Sequence, residues 1–162
     1  MKRLSGGIDV GSESHHIIIL DEEDNFLYNK KISHRINEFT ENINLFKQME
    51  KRERGKISFA LEGKNGYSAP LDKILLDQGF TLYNVDNFKL KRFREAFAGE
   101  WRDDERDALM LSKMLKLKDH INSQREKVFI KIEKPSPVTE SLKLLSRHQQ
   151  TLIDEKVRLT NR

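Results

Sequence analysis

Cysteine is absent from the 162 residues of this sequence. Without it the protein has no disulfide, no zinc site built on thiolates and no cysteine nucleophile. Any metal that it binds must take oxygen or imidazole ligands. The absence is also typical of intracellular proteins.

Long apolar runs are missing as well. The longest, Ile17-Ile18-Ile19-Leu20, has four residues, whereas a membrane-spanning helix needs roughly 20. No apolar signal segment follows Lys2 and Arg3. We therefore expect a soluble, cytoplasmic protein with no membrane partner.

Charge, in contrast, is abundant. Charged residues make up 35% and hydrophobic residues 36% of the 19.1 kDa chain, which predicts one domain with a modest core. The formal net charge is +4 and the pI is about 9.2. This excess is compatible with a nucleic-acid partner but is too small to identify one.

The apolar residues recur in short segments that predict a layered α/β domain. Between Leu4 and Ile32, three β-prone runs are separated by the turn-like stretches Gly11–Ser14 and Asp21–Asn25, which predicts an antiparallel meander. Helices and strands then alternate, which requires crossovers and parallel pairing. The predicted elements are a helix over 35–54, a strand over 57–62, a helix ending at Gly79, a strand over 81–85, and helices over 87–97 and 101–118.

The C-terminal part has a different character. Residues 121–137 contain an alternating stretch and two prolines, and they predict an extended connector after a catalytic domain over 1–120. Residues 138–162 predict one helix, and seven-residue spacing of its apolar residues indicates the start of a coiled coil and a homo-oligomer. We expect the chain to be part of a longer protein. The residues at this spacing are Val138, Leu145, Leu152 and Leu159, with polar Gln149 and Lys156 between them.

Two acidic residues occur where strands should be apolar. Asp9 stands between Ile8 and Val10 in the stretch GIDVG, and Glu62 closes the strand that contains Ile57, Phe59 and Leu61. Ligand sites of open α/β sheets gather at the carboxyl ends of parallel strands. If these two strands are adjacent and parallel, both carboxylates lie at one edge.

The helix predicted over 101–118 carries two further acids. At about 100° per residue, Asp104 and Asp107 lie on the same stripe as the apolar residues that should face the core. Asp103 lies one turn before Asp107, so spacing alone leaves open which aspartate pairs with it. The helix dipole favours acids in a first helical turn, so a cap, a turn or a solvated face is the better explanation for each of these acids taken alone.

Four acids in this order favour a cation site. Buried carboxylates that lie near one another repel, and hard oxygen ligands suit Mg²⁺ or Mn²⁺. Four carboxylates can hold two such ions for in-line phosphodiester chemistry.

These motifs resemble those of a known family. GIDVG, ALEGKNGY and RDDERDALML are similar to the catalytic domain of the DEDD transposases, RuvC-like recombinases related to the pilin-gene invertase Piv. The resemblance covers roughly residues 5–118. The family's third motif selects Asp104 and Asp107 here, although Asp103 stands where a small polar residue is usual.

The resemblance implies a ribonuclease-H-like (RuvC-like) α/β fold: a mixed five-stranded sheet with flanking helices, followed by a long C-terminal helix. It implies two Mg²⁺ (or Mn²⁺) ions as cofactors, with Asp9, Glu62, Asp104 and Asp107 as metal ligands and catalytic residues. It also implies that the protein acts on DNA with a structured guide RNA, and that full activity needs a downstream domain with a nucleophilic serine.

Other functions remain open at this point. A Holliday-junction resolvase would share the early Asp and Glu, and sugar kinases and actin-like ATPases also begin with an Asp-Gly strand. A nucleic-acid-binding domain without activity of its own is a further alternative.

Several other residues are candidates for nucleic-acid contact. In the segment 87–97, cations alternate with aromatic residues, which suits a phosphate backbone, although core packing explains the phenylalanines better. His15 is a weaker candidate for reaching a metal or a phosphate. The predicted nucleic-acid-binding residues are Lys64, Lys89, Lys91, Arg92 and Arg94.

Overall fold

The computed structural model describes residues 1–62, 66–97, 103–122 and 127–160. The chain forms two compact units, Met1–Ile132 and Glu133–Arg162. The strands of the first unit are β1 (Lys2–Val10), β2 (Ser14–Leu20), β3 (Phe26–Ser33), β4 (Gly55–Glu62), β5 (Thr81–Val85) and β6 (Phe129–Ile132). Its helices are α1 (Ile36–Glu53), α2 (Ala69–Asp77), α3 (Asn87–Phe97), α4 (Asp104–Lys116) and α5 (Lys118–Ile121).

The described strands form one mixed sheet with β1 near its centre. Their order is β3-β2-β1-β4-β5-β6. β1 pairs antiparallel with β2 and parallel with β4, while β5 is parallel to β4 and antiparallel to β6. The predicted mixed sheet with flanking helices and a long C-terminal helix is confirmed.

The strand count differs from the prediction. The sheet has six described strands, not five, because part of the segment predicted as an extended connector pairs with β5 as β6. Val128, Phe129 and Ile132 are buried, so this stretch belongs to the core of the first unit. Pro135 and Pro137 follow the strand rather than interrupt it.

Helices cover both faces of the sheet. On one face, α1 and α2 pack on a cluster that includes Ile8, Phe46 and Phe59. On the other face, α3 and α4 pack through residues such as Leu90 and Leu111 against Ala60 and Val85. Because side chains of a strand alternate between faces, Gly7 and Asp9 lie on the α4 side and Ile8 on the α1 side.

The second unit consists mainly of α6 (Pro137–Thr160). The predicted helix is therefore present, and its apolar residues Val138, Leu142, Leu145, Leu152 and Leu159 are exposed. Within the described residues, no helix is both long enough and apolar enough to cross a membrane.

Candidate metal centre

Asp9 and Glu62 lie side by side at the carboxyl ends of adjacent strands. The parallel register of β1 and β4 pairs Ile8 with Leu61, so the two acids follow at equivalent positions. Both therefore project to the face that α4 covers. This is the proximity that the strand pattern predicted.

The first turn of α4 brings Asp104 and Asp107 near Asp9. Asp103 is the N-cap of this helix, and its carboxylate accepts a hydrogen bond of 2.7 Å from the backbone N–H of Arg106. The carboxylate of Asp103 is thus used to cap α4. Asp104, by contrast, is close enough to Asp9 to raise the pKa of that residue, which favours Asp104 as the member of the acidic set.

The pKa of Asp9 reports how the acids interact. It is raised to about 6, mainly by burial and then by the charges of Asp107, Asp104 and Glu62 in that order, while Arg94 opposes the rise. The other three acids predicted from the sequence therefore each act electrostatically on Asp9. A cation among them would relieve their mutual repulsion.

Two basic side chains already contact these acids. On α3, Arg94 places Nη2 2.6 Å from Glu62 Oε2 and Nε 2.9 Å from Asp107 Oδ1. On β3, Lys31 donates a hydrogen bond of 2.7 Å to Asp104 Oδ2, and this contact lowers the pKa of Asp104. Each of Glu62, Asp104 and Asp107 thus has a cationic partner within the protein.

The donor chemistry fits a divalent ion, although the side chains are not gathered around one point. Carboxylate oxygens are the ligands that Mg²⁺ and Mn²⁺ prefer. Among the described residues, however, no three Asp, Glu or His side chains are close enough to hold one ion together. The metal role of the four acids stays a prediction.

The histidine at the site is His16 rather than His15. β2 pairs His16 with both Asp9 and Lys31, so these three residues form a row across three strands on the α4 side. His15 lies on the other face, fully buried beside His34 and Phe39, and burial lowers its pKa to about 4. The suggestion that His15 reaches a metal or phosphate was wrong because it put this residue on the wrong face.

His16 belongs to a network that fixes the start of α4. Its Nε2 lies 2.7 Å from Oδ1 of Asn29, and Asn29 Nδ2 donates a hydrogen bond of 2.7 Å to Glu105 Oε1. Together with the contact of Lys31 to Asp104, these bonds tie α4 to β2 and β3. No sequence pattern pointed to Asn29 or Glu105.

The predicted nucleic-acid residues divide into three groups. Lys91 and Arg92 are exposed on α3, and the guanidinium of Arg92 lies 4.4 Å from the ring centroid of exposed Phe88. Lys89 is half-buried, and Arg94 turns inward to the acids. Lys64 lies outside the described residues. Phe88 is therefore not a core residue, contrary to the expectation for this segment's phenylalanines.

The raised pKa of Asp9 predicts how stability depends on pH. An acid whose pKa is higher in the folded protein than its ordinary value of 3.8 stabilises the fold at low pH, and this stabilisation is lost as pH rises from about 4 to about 6. Asp9→Asn removes the penalty of the charged form. Because Asp9 is partly solvated, we expect the free energy of unfolding of the metal-free protein to increase by only about 1 kcal/mol at pH 7.

Urea unfolding in the presence of a chelator, at pH 4 and at pH 7, measures this effect. The gain of Asp9→Asn over the wild type should be present at pH 7 and nearly vanish at pH 4. An equal gain at both values would mean that the charge of Asp9 is not the cause.

Comparisons with known proteins agree with these motifs. A family model for DEDD transposases of the IS110 type, described as a transposase, matches residues 6–162. The 44.8 kDa protein of insertion element IS116 from Streptomyces clavuligerus is 27% identical over 160 residues, covering 99% of this chain and 37% of its own length. A Sinorhizobium fredii protein named as a transposase, y4uE, is 28% identical over 159 residues, covering 96% of this chain and 41% of its own.

This chain therefore spans roughly two-fifths of the length of these two relatives. Among solved structures, RuvC of T. thermophilus, in complex with a Holliday junction substrate, aligns with a TM-score of 0.48 and 15% identity. The alignment covers 68% of this chain and 90% of that chain.

Proposed function

Because the chain belongs to the DEDD transposase family, we propose that its first unit is the metal-binding catalytic part of a transposase that acts on DNA phosphodiester bonds. The observation that supports this proposal is that β1, β4 and α4 carry four carboxylates to one end of the sheet, where the charges of three of them raise the pKa of the fourth. They are Asp9, Glu62, Asp104 and Asp107.

In this proposal the four acids hold two Mg²⁺ or Mn²⁺ ions, with Asp9 in the central position. Asp9 is the residue whose pKa responds to the other three acids, as expected of a ligand shared between two ions. When bound, such an ion pair stabilises the attacking and the leaving oxygen of an in-line displacement at phosphorus. His16, Asn29 and Lys31 keep the start of α4, and so Asp104, beside Asp9.

DNA is the proposed substrate, and the exposed cations Lys91 and Arg92 of α3 are its proposed backbone contacts. A structured guide RNA, strand exchange and a serine nucleophile are proposed only for proteins as long as the two relatives, of which this chain spans roughly two-fifths. Self-association through the exposed apolar residues of α6 is proposed on the same basis.

A manganese titration followed by calorimetry tests the proposal. The wild type should bind Mn²⁺ in the millimolar range or tighter, and Asp9→Asn and Asp104→Asn should weaken binding roughly tenfold or more, because each removes a ligand. Asp9→Asn is informative because it is expected to stabilise the fold, so that its loss of binding does not reflect unfolding.

Asp103→Asn is the matched control. It changes the same charge one residue away from Asp104, and asparagine still caps a helix well. It should bind Mn²⁺ as the wild type does. The proposal is wrong if the wild type binds no metal at millimolar ion, or if Asp9→Asn and Asp104→Asn bind it as tightly as the wild type does.

A further inference from the structure

Arg94 occupies an unusual position for a residue of a basic helix. Its side chain is only 17% exposed, and its guanidinium contacts Glu62 on β4 and Asp107 on α4, which have side-chain exposures of 26% and 23%. Its neighbours on the same helix, Lys91 and Arg92, are exposed to solvent. Arg94 thus joins two acids from different elements.

These contacts use carboxylate oxygens that a metal ion would also need. Glu62 Oε2 and Asp107 Oδ1 face the guanidinium at 2.6 and 2.9 Å. A divalent ion bound between them would meet the positive charge of Arg94 at short range, and the two cations would repel. The arginine and the metal therefore compete for one place.

We propose that Arg94 is an internal counter-ion that a metal ion must displace, and that the phosphate backbone of DNA favours this exchange by receiving the guanidinium. The inference rests on the proposed function, since it concerns the same four acids. It adds a coupling between DNA binding and metal binding that passes through one side chain.

DNA is a suitable acceptor for physical reasons. Displacing a half-buried guanidinium from two carboxylates is costly unless it finds another anion. A phosphate offers the same bidentate geometry as a carboxylate. Lys91 and Arg92 on the outer side of α3 would bring a phosphate backbone to the helix that carries Arg94. Coupling of this kind is reciprocal, so metal must also favour DNA binding.

Manganese titration without DNA tests the first half of the proposal. Arg94→Gln removes the competing charge, so we expect it to bind Mn²⁺ about tenfold more tightly than the wild type. Arg52→Gln is the matched control, because it removes the same charge from an exposed position of α1 on the opposite face of the sheet, and it should resemble the wild type. Equal or weaker binding by Arg94→Gln would overturn the proposal.

Repeating the titration with a short DNA duplex tests the second half. Duplex should increase the Mn²⁺ affinity of the wild type by about tenfold. The negative charge of DNA attracts metal in every variant, so the decisive quantity is the difference between proteins. The increase should be clearly smaller for Arg94→Gln, and an increase as large as that of the wild type would contradict the transfer of Arg94 to phosphate.

The possible failures can be told apart. If the wild type and Arg94→Gln bind no metal with or without duplex, the proposed function is wrong and the inference with it. If the wild type binds Mn²⁺ and Arg94→Gln does not differ from it, only the inference is wrong.

Thermal melting by circular dichroism verifies that each variant is folded. If Arg94→Gln does not fold, Arg94→Lys decides the question, since a single ammonium cannot span both carboxylates as a guanidinium does. It should then bind Mn²⁺ more tightly than the wild type, and unchanged affinity would refute the proposal.

Discussion

Gly7→Ala should lower the free energy of unfolding by about 3 kcal/mol or more, because it forces α4 away from the sheet. A Cβ atom at this position would lie 1.9 Å from the carbonyl oxygen of Ala108 and 2.6 Å from the amide nitrogen of Ser112. Both are backbone atoms of α4, so no side chain can rotate to make room. The buried hydrogen bond of 2.7 Å from Ser112 Oγ to the carbonyl of Ser5 would be lost as well.

Urea unfolding measures this loss, with Gly66→Ala as the control. Among the described residues, and apart from its chain neighbours, no atom lies within 4 Å of a Cβ built at Gly66, so that variant should match the wild type within about 0.5 kcal/mol. Because α4 carries Asp104 and Asp107, folded Gly7→Ala protein should also bind Mn²⁺ poorly. A change in stability below about 1 kcal/mol would mean that α4 does not pack on Gly7 this closely.

Phe46→Ala should cost a similar amount, about 3–5 kcal/mol, but through the opposite face of the sheet. Phe46 is fully buried, and its ring centroid lies 5.1 Å from that of Tyr28, 5.4 Å from Phe59 and 6.3 Å from Phe80. Its removal leaves a cavity in the middle of an aromatic cluster. The four acids lie on the other side of β1 and β4.

The two variants should therefore differ in function while agreeing in stability. At a temperature where it is folded, Phe46→Ala should bind Mn²⁺ as the wild type does. Phe26→Ala, which truncates a side chain that is 54% exposed, is the control and should change stability little. Loss of metal affinity in folded Phe46→Ala would show that the two faces of the sheet are not independent.

The sheet could largely be predicted from local patterns. The order of strands and helices was readable because apolar periodicity and turn residues agree in each segment. β6 was missed because Pro135 and Pro137 suggested a linker. Its pairing with β5 is a long-range contact, which local apolar periodicity cannot predict. The predicted end of the catalytic domain near residue 120 reflects the same omission.

The acidic set was also visible, because Asp9 and Glu62 interrupt apolar strands and because helical phase aligns Asp104 and Asp107 with the apolar residues of α4. In the structure the side chain of Asp107 is 23% exposed and that of Asp104 is 55% exposed. Arg94 was not visible, since an arginine among other cations looks like part of a solvated surface. His16 could have been found. The four residues Gly11–Ser14 lie between Val10 and His15, which pair with each other, and the next pair away from the turn joins Asp9 to His16.

The central position of β1 also determines when the four acids can come together during synthesis. β1 can pair with β2 as soon as the first hairpin is made, but its contact with α4 joins Ser5 to Ser112, 107 residues later in the chain. Contacts of such long range close late in folding. A nascent chain on the ribosome therefore carries Asp9 and Glu62 without their partners until α4 emerges. The four acids can therefore come together only after α4 has been synthesised, when most of the first unit has been made.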